Sequence, residues 1–249
     1  MHKMPRCVLE EVDDIAILKF TRSEKLNAFD FDSWREFSSN VDEASNYKGL
    51  IITGEGRAFS SGDDINAMYK FEDYAESKSF FKTLFDVLQK LMHYPHPIIA
   101  AVNGLAAGGG AEILLTLDYV VSVKDAWFWF PEARIGLYPP ILTSLGVYVF
   151  GIKNVKKLAI NMPRLTSEEA LNLGLVDMII EDKNKLTEIA VNKVRELNRV
   201  PTVSYTSMRK VLASIVLPHL KQSLDTLAET AVEEEAKRSM ELFIKSRKK

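Results

Sequence analysis

Residues 97–112 read PIIAAVNGLAAGGGAE, an apolar run followed by three consecutive glycines. The β-rich run Ile98–Val102 and the glycines behind it predict a buried strand, a glycine-rich loop and the start of a helix. Glycine lets the backbone lie against a ligand because no Cβ intervenes, and a helix start presents unpaired N–H groups. Glu112 adds a carboxylate to the first turn. Donors beside a carboxylate indicate enolate chemistry rather than phosphate binding.

Two nucleotide-binding motifs also place glycines between a strand and a helix, and neither fits this stretch. A dinucleotide-binding G-x-G-x-x-G motif that begins at Gly108 requires glycine at position 113, which is Ile113. A P-loop ends in G-K-[ST], whereas this loop ends in Ala111-Glu112. The remaining alternative is that the glycines only permit close packing of the backbone.

Composition excludes several other classes of protein. The 249 residues are 47% hydrophobic and 27% charged, as in an ordinary soluble globular protein. The net charge of −2 gives no electrostatic basis for binding nucleic acid. No apolar run approaches the roughly 18 residues of a membrane span, and the N-terminus has no signal-peptide core. A single cysteine, Cys7, allows no intramolecular disulfide, so we expect a cytoplasmic protein without a membrane partner.

Two histidines are the candidates for a metal site. His93 and His96 are three residues apart, but they flank Pro95 in a turn and spacing places no third ligand. A polar turn is the simpler interpretation, and we therefore expect no bound metal.

Strands alternate with helices along most of the chain. Apolar runs predict strands near residues 7–12, 15–20, 49–53, 119–123, 126–130 and 176–180. The sequence TSEE at 166–169 is a capping box for a short helix that Gly174 ends. The alternation predicts an α/β core over residues 1–190, which contains the site.

Residues 191–249 have only helical periodicity. Pro201 and Pro218 predict breaks that divide the chain beyond about Asn184 into three helices. The last of these helices is predicted to have an apolar stripe formed by Leu220, Leu224, Leu227 and Ala231. We expect this region to be a separate C-terminal helical segment.

In their order and spacing, the motifs of this chain resemble the crotonase superfamily, the enoyl-CoA hydratases and isomerases. The matching segments are KLNA at 25–28, RAFSSGDDI at 57–65, NG at 103–104, GGGAE at 108–112, FPE at 130–132 and IG at 135–136. The resemblance implies a spiral of ββα units and C-terminal helices that support a homotrimer or a dimer of trimers. It also implies an acyl-CoA thioester substrate and no separate cofactor, since CoA is part of the substrate.

By this resemblance, the two glycine loops form an oxyanion hole. Its donors are the backbone amides of Asp63 and Gly109, which suit a developing enolate because backbone N–H groups neither titrate nor rotate away. The positions implied to contact CoA are Lys25, Leu26, Ser61, Asp63, Asp64, Ile65 and Gly109.

Position 63 departs from the family pattern, which usually has a small residue there. A carboxylate beside a developing anion opposes it unless the carboxylate points to solvent. We therefore expect the Asp63 side chain to be a solvated helix cap. Asp64 matches the family's aspartate and is expected to hold the loop.

Glu112 and Glu132 are the predicted acid–base pair. Adding water to a 2-enoyl thioester requires one group that activates the water and another that delivers a proton to Cα. Family hydratases have glutamates at both positions, and in the usual assignment Glu112 acts on the water and Glu132 on the Cα proton. The resemblance therefore implies an enoyl-CoA hydratase, a lyase of fatty acid metabolism.

Pro140 departs from the hydratase pattern, in which a glycine of a Pro-Gly-x-Gly-Gly segment lies at the active site. Proline has no N–H to donate, so we expect a differently shaped acyl pocket. This keeps open an enoyl-CoA isomerase, which moves a proton between the α and γ carbons with one glutamate. A non-catalytic protein that binds acyl-CoA or RNA is a third alternative. Trp127 and Trp129 share one face of a strand and either line the acyl pocket or pack in the core.

Overall fold

A computed structural model describes residues 4–247 as ten strands, ten α-helices and four 3₁₀ turns. The strands are β1 (Cys7–Val12), β2 (Ile15–Phe20), β3 (Leu50–Gly54), β4 (Ala58–Ser60), β5 (Ile98–Val102), β6 (Leu105–Ala107), β7 (Tyr119–Val123), β8 (Trp127–Trp129), β9 (Leu165–Thr166) and β10 (Met178–Ile180). The helices are α1 (Phe31–Ala44), α2 (Ile65–Tyr69), α3 (Tyr74–His93), α4 (Gly109–Glu112), α5 (Pro140–Ser144), α6 (Gly146–Asn161), α7 (Ser167–Leu173), α8 (Leu186–Leu197), α9 (Thr202–Thr230) and α10 (Glu234–Ser246). The 3₁₀ turns are Ser23–Lys25, Ile113–Thr116, Glu132–Ile135 and Lys183–Lys185. Residues 1–3, and residues 248 and 249 of the predicted C-terminal segment, lie outside the described part of the chain.

The strands form two sheets. The first has six strands in the order β1-β2-β3-β5-β7-β10, all parallel except for the β1–β2 hairpin. The second has the order β4-β6-β8-β9, in which β4, β6 and β8 are parallel. The consecutive pairs β3/β4, β5/β6 and β7/β8 each give one strand to each sheet before the chain enters helical structure. This repetition confirms the predicted α/β spiral of ββα units.

The turn from β5 into β6 illustrates how the sequence builds the spiral. Every residue of β5 is buried, as its continuous apolar run indicates for a strand covered on both faces. Asn103 follows directly and donates from Nδ2 to the carbonyl oxygen of Gly56 at 3.1 Å. Its Oδ1 accepts from the Gly54 N–H at 3.2 Å. One buried asparagine therefore joins the corner after β5 to the equivalent corner after β3.

Leu105–Ala107 forms the strand β6, although the sequence predicted a loop there. The sequence Leu-Ala-Ala contains no β-branched residue and so has a weak local preference for a strand. Pairing with β4 on one side and β8 on the other supplies the stabilisation that the local sequence lacks. The loop between β6 and α4 is consequently the single residue Gly108, and the helix begins at Gly109 with Glu112 in its first turn, as predicted.

The C-terminal region is not broken at Pro218, which lies inside the continuous helix α9. Proline removes one intrahelical hydrogen bond, and the packing of α9 against α3 and α5 offsets that cost. The break falls instead at residues 231–233, between α9 and α10. The predicted apolar stripe belongs to α9 and its C-terminal end and is buried within the chain: Leu220, Leu224, Leu227 and Ala231.

The two C-terminal helices pack back onto the spiral. α9 contacts α3 and α5, while α10 contacts α2 and the 3₁₀ turn Glu132–Ile135. These helices therefore cover the edge of the second sheet where β8 ends. Of the helices within residues 4–247, none is long and apolar enough to cross a membrane.

Candidate active site

A cavity of about 400 Å³ lies where the parallel strands of the second sheet end. Because β4, β6 and β8 are neighbours with the same direction, the segments that follow them meet at one edge. The cavity-lining residues of these segments are Ser61, Asp63, Gly108, Gly109, Pro131 and Glu132. Leu227 of α9 and Phe243 of α10 form part of the opposite wall. The fold thus joins both glycine loops and both predicted glutamates in one cavity.

The two glycine loops touch because their glycines lack side chains. A Cβ on Gly110 would lie 2.5 Å from the carbonyl oxygen of Ser60. A Cβ on Gly62 would lie 2.7 Å from the amide nitrogen of Gly109. Glycine at these positions therefore permits close backbone packing and, by the same contact, brings the two loops to the same cavity.

Two backbone N–H groups at the cavity have no protein acceptor. Gly109 begins α4, so its N–H is one of the donors that a helix start leaves unpaired. Neither this N–H nor that of Asp63 donates to an acceptor among residues 4–247. Both residues line the cavity. Paired free donors of this kind are able to stabilise an oxyanion.

Glu112 is anchored by the start of another helix. Its Oε1 accepts hydrogen bonds from the N–H groups of Ile141 and Leu142, each at 2.7 Å. Both donors belong to the first turn of α5, where Pro140 occupies the first position, at which an N–H is not needed. Burial raises the pKa of Glu112 well above its usual value, as does the charge of Glu132, whereas the two N–H donors lower it. The segment that begins at Pro140 and departs from the hydratase pattern therefore holds the predicted catalytic residue Glu112 in place.

Glu132 has no comparable donors. Its Oε1 and Oε2 are both buried, and neither has a hydrogen-bond partner among residues 4–247. A Cβ on Gly108 would lie 3.2 Å from Oε1, so the carboxyl group is beside the glycine loop. Burial raises the pKa of Glu132 to about 8; the backbone N–H of Glu132 itself lowers it and the charge of Asp63 raises it. A carboxyl group in this environment retains its proton at neutral pH.

The side chain of Asp63 lies in the cavity wall, so the expectation of a solvated helix cap is wrong. Its Oδ1 accepts from Nε1–H of Trp34 at 2.8 Å, and a Cβ on Gly109 would lie 3.4 Å from its Oδ2. Burial raises the pKa of Asp63 to about 7; the Trp34 hydrogen bond lowers it and the charge of Asp64 raises it. The cap of α2 is Asp64, whose Oδ1 accepts from the Asn66 N–H at 3.0 Å.

Asp63, Glu112 and Glu132 thus bring three carboxyl groups to one cavity. Like charges in a buried site disfavour full ionisation, so the cluster retains protons at neutral pH and titrates as a unit. Within residues 4–247, no group of three or more His, Cys, Asp or Glu side chains is placed to hold a metal ion.

Five of the positions predicted to contact CoA line the cavity: Leu26, Ser61, Asp63, Ile65 and Gly109. Lys25 and Asp64 are not part of its wall. The carbonyl oxygen of Lys25 accepts from Oγ of Ser61 at 3.4 Å, and Asp64 Oδ2 forms an ion pair with Arg22 at 2.9 Å. These two residues hold neighbouring loops together.

Four arginines line the cavity: Arg57, Arg134, Arg164 and Arg247. Arg247 belongs to the basic run KSRKK at 245–249, which the sequence allows either as a solvated tail or as a contact of CoA phosphates, and the other three were not identified from the sequence. None of the four forms an ion pair with a carboxylate among residues 4–247. Arg57, Arg134 and Arg164 come from separate segments without a common spacing, so the sequence contains no pattern that reveals them.

Arg164 stacks on the pair of tryptophans whose role the sequence left open. Its guanidinium lies 4.8 Å from the ring centroid of Trp127 and 5.0 Å from that of Trp129. Both rings line the cavity, while the intervening Phe128 is fully buried. This arrangement favours the pocket interpretation of the tryptophans over core packing.

The chain belongs to the enoyl-CoA hydratase/isomerase family, whose model matches residues 10–249. The fatty acid oxidation complex subunit alpha of Psychrobacter sp. (strain PRwf-1) is 32% identical over 191 residues, which are 74% of this chain and 26% of that protein. The short-chain-enoyl-CoA hydratase of Clostridium acetobutylicum is 28% identical over 249 residues, 97% of this chain and 95% of that protein. The chain therefore spans about a quarter of the first relative and nearly all of the second.

A solved structure with the same fold is the enoyl-CoA hydratase from Bacillus halodurans. It superposes with a TM-score of 0.87 at 21% sequence identity, and the match covers 95% of this chain and 99% of that one. At this level of identity the similarity shows the fold.

Proposed function

We propose that the protein is an enoyl-CoA hydratase, a lyase that adds water across the double bond of a 2-enoyl-CoA thioester. The observation that carries this proposal is that two carboxyl groups in one cavity differ in the hydrogen-bond donors around them. Burial raises the pKa of both groups, but Glu112 accepts two backbone hydrogen bonds, which favour its carboxylate form, and Glu132 accepts none from another residue, which favours its neutral form. A base and an acid are the two groups that hydration requires.

The chemistry follows from this division of roles. The carboxylate of Glu112 removes a proton from water as the water oxygen forms a bond to Cβ. The π electrons move onto the thioester oxygen, where the free amides of Asp63 and Gly109 stabilise the enolate. The enolate then forms a C–H bond at Cα with the proton of Glu132. Transfer of the proton from Glu112 to Glu132 restores the starting state.

The cavity wall supports an anionic thioester as the substrate. Four arginines without a carboxylate partner are available to the phosphate groups of CoA. Trp127 and Trp129 provide an apolar surface that suits an acyl or pantetheine chain. The relative with almost the same length, the Clostridium acetobutylicum protein, has a name that refers to short-chain substrates.

We further propose that the protein assembles as a trimer or a dimer of trimers. The stripe on which the sequence-based expectation rested is buried within the chain and is not available for this purpose. The first half of α9 instead exposes a set of large apolar side chains: Val203, Met208, Val211, Leu212 and Ile215. Exposed apolar area of this kind indicates a contact surface. Light scattering is expected to give three or six times the mass of one chain, and a monomer at micromolar concentration would rule the proposal out.

The activity is tested by turnover of two isomeric substrates. Crotonyl-CoA measures hydration, and a 3-enoyl-CoA measures migration of the double bond. We expect the wild-type protein to hydrate crotonyl-CoA and to act on the 3-enoyl thioester much more slowly. Isomerisation without hydration would assign the site to an isomerase, and binding of both thioesters without turnover would assign it to a non-catalytic acyl-CoA-binding protein.

A further inference from the structure

Asp63 contributes a third carboxyl group whose two oxygens have different surroundings. Oδ1 accepts the hydrogen bond from Trp34 Nε1–H at 2.8 Å. Oδ2 faces Gly109, since a Cβ built on that glycine would lie 3.4 Å from it. Oδ2 therefore lies beside Gly109 in the wall of the cavity that Asp63 and Gly109 both line.

We propose that Asp63 carries a proton on Oδ2 and donates it in a hydrogen bond to the thioester oxygen, as a third donor beside the two backbone amides. This inference rests on the proposed enolate chemistry and adds a side-chain donor to it. The proton stays on Asp63 throughout, so the exchange of protons between water, Glu112, Glu132 and Cα is unchanged.

Trp34 determines which oxygen holds the proton. An indole N–H is a donor and never an acceptor, and in the neutral form of Asp63 the better acceptor for it is the carbonyl oxygen, which assigns Oδ1 as that atom. The hydroxyl is then Oδ2, the atom beside Gly109. Trp34 is fully buried and packs against the rings of Phe29 and Phe37, which fixes the direction of its N–H. Trp34 is accordingly a positioning residue.

The charges around Asp63 favour its neutral form. Glu112 on α4 and Glu132 on the 3₁₀ turn face the same cavity, and Asp64 is adjacent in the chain. The nearby cation Arg22 pairs with Asp64 and Asp30, and no ion pair among residues 4–247 includes Asp63. Four other cations line the same cavity without an ion pair to Asp63: Arg57, Arg134, Arg164 and Arg247. An ionised Asp63 would repel both the glutamates and an enolate.

The proposal predicts that turnover depends on pH differently in two variants of Asp63. Asp63→Asn keeps an acceptor for Trp34 and places an amide N–H₂ where the hydroxyl was, and this donor does not ionise. Asp63→Ala removes the donor.

At pH 6 we expect the asparagine variant to turn over a 2-enoyl-CoA within about tenfold of wild type. We expect the alanine variant to be about 10²-fold slower, which is the usual cost of losing an oxyanion-hole donor. At pH 9, where wild-type Asp63 is ionised, we expect the asparagine variant to exceed wild type and the alanine variant at least to equal it.

Two further measurements do not depend on turnover. In protein with ¹³C-labelled aspartate carboxyl groups, the resonance that Asp63→Asn removes is expected to titrate near pH 7, because burial raises the pKa of Asp63 to about 7. Acetoacetyl-CoA is a 3-ketoacyl thioester that forms an enolate readily and serves as the probe. It is expected to bind at pH 6 about as tightly to the asparagine variant as to wild type and at least tenfold more weakly to the alanine variant. These results would support the role of Asp63 even if the protein did not hydrate crotonyl-CoA. The donor role of Asp63 and the proposed hydratase activity can therefore be rejected independently of each other.

Trp34→Phe tests the positioning role, and Asp86→Asn, at an exposed aspartate on α3, is the control. Without the indole donor we expect weaker enolate binding together with a higher titration midpoint of Asp63, a pair of changes that loss of packing alone does not produce. The proposal is overturned if the Asp63 resonance is that of a carboxylate down to pH 5. Equal behaviour of the asparagine and alanine variants at both pH values would also overturn it.

Discussion

The surroundings of Glu112 and Glu132 differ more than their shared cavity suggests. Glu112 lies at the N-terminus of α5 and accepts two backbone hydrogen bonds, whereas both carboxyl oxygens of Glu132 are buried without a partner among residues 4–247. Under the proposed mechanism, this difference allows one residue type to supply both roles of an acid–base pair. Fixed N–H donors stabilise the charge on one carboxyl group, and a site without donors preserves the proton on the other.

The largest effects are expected when either glutamate loses its ability to exchange a proton. Glu112→Gln and Glu132→Gln keep the shape of the side chain, and each is expected to lower the turnover of crotonyl-CoA by about 10²–10⁴-fold. Glu181→Gln, at an exposed ion pair with Lys124, is the matched control and should leave turnover unchanged. A variant that keeps full isomerisation of a 3-enoyl-CoA would show that one glutamate suffices and that the pair is not an acid and a base for hydration.

The proposed oxyanion donor near Glu112 is tested by substitution of Gly109. Proline at this position removes the N–H but suits the first position of a helix, and we expect turnover to fall by about 10²–10³-fold. Gly109→Ala retains the N–H and adds a Cβ 3.4 Å from Asp63 Oδ2, an ordinary van der Waals distance, so its loss should stay within about tenfold. Equal losses in the two variants would mean that space, rather than the donor, matters at this position.

The anchoring of Glu112 predicts a cost in stability. Glu112→Ala leaves the N–H groups of Ile141 and Leu142 buried without an acceptor, which should lower the free energy of unfolding by about 2 kcal/mol or more. Glu112→Gln keeps an acceptor oxygen and should change it by less than about 1 kcal/mol. Urea unfolding of both variants compares them, and equal stabilities would show that the two hydrogen bonds do not hold α5.

The burial of Glu132 without a hydrogen bond from another residue predicts that Glu132→Gln raises stability. This effect should be smaller than the loss of stability expected for Glu112→Ala. The pKa of Glu132 is raised to about 8 in the folded protein from 4.5, so the folded state binds a proton that the unfolded state releases. Stability therefore falls as pH rises between these values. Glu132→Gln removes this penalty, and its melting temperature should exceed that of wild type by at least about 2 °C at pH 8, and by less at pH 5. A difference that does not change with pH would contradict the raised pKa.

Features set by local chemistry were predictable from the sequence. The capping box is present, because Thr166 accepts from the Glu169 N–H at 3.1 Å and Gly174 ends the helix in a left-handed conformation. The fully apolar run Ile98–Val102 is a buried central strand. Glu112 was found because its carboxylate follows the glycine loop directly in the chain.

Features set by distant contacts were not predictable. β6 exists because two other strands pair with it, and α9 continues through Pro218 because neighbouring helices support it. The orientation of the Asp63 side chain depends on Trp34, 29 residues earlier in the chain, and no periodicity links the two. Side-chain direction is therefore the part of the site that required three-dimensional structure.

The most direct test of the account is the origin of the atoms added to the substrate. Crotonyl-CoA incubated with the protein in D₂¹⁸O should yield 3-hydroxybutyryl-CoA with one ¹⁸O at C3 and one deuterium at C2, as measured by mass spectrometry. This result is expected if water adds across the double bond, with Glu112 acting on the water and Glu132 on Cα. Crotonyl-CoA recovered without ¹⁸O, together with deuterium incorporation into an isomerised 3-enoyl thioester, would contradict the account.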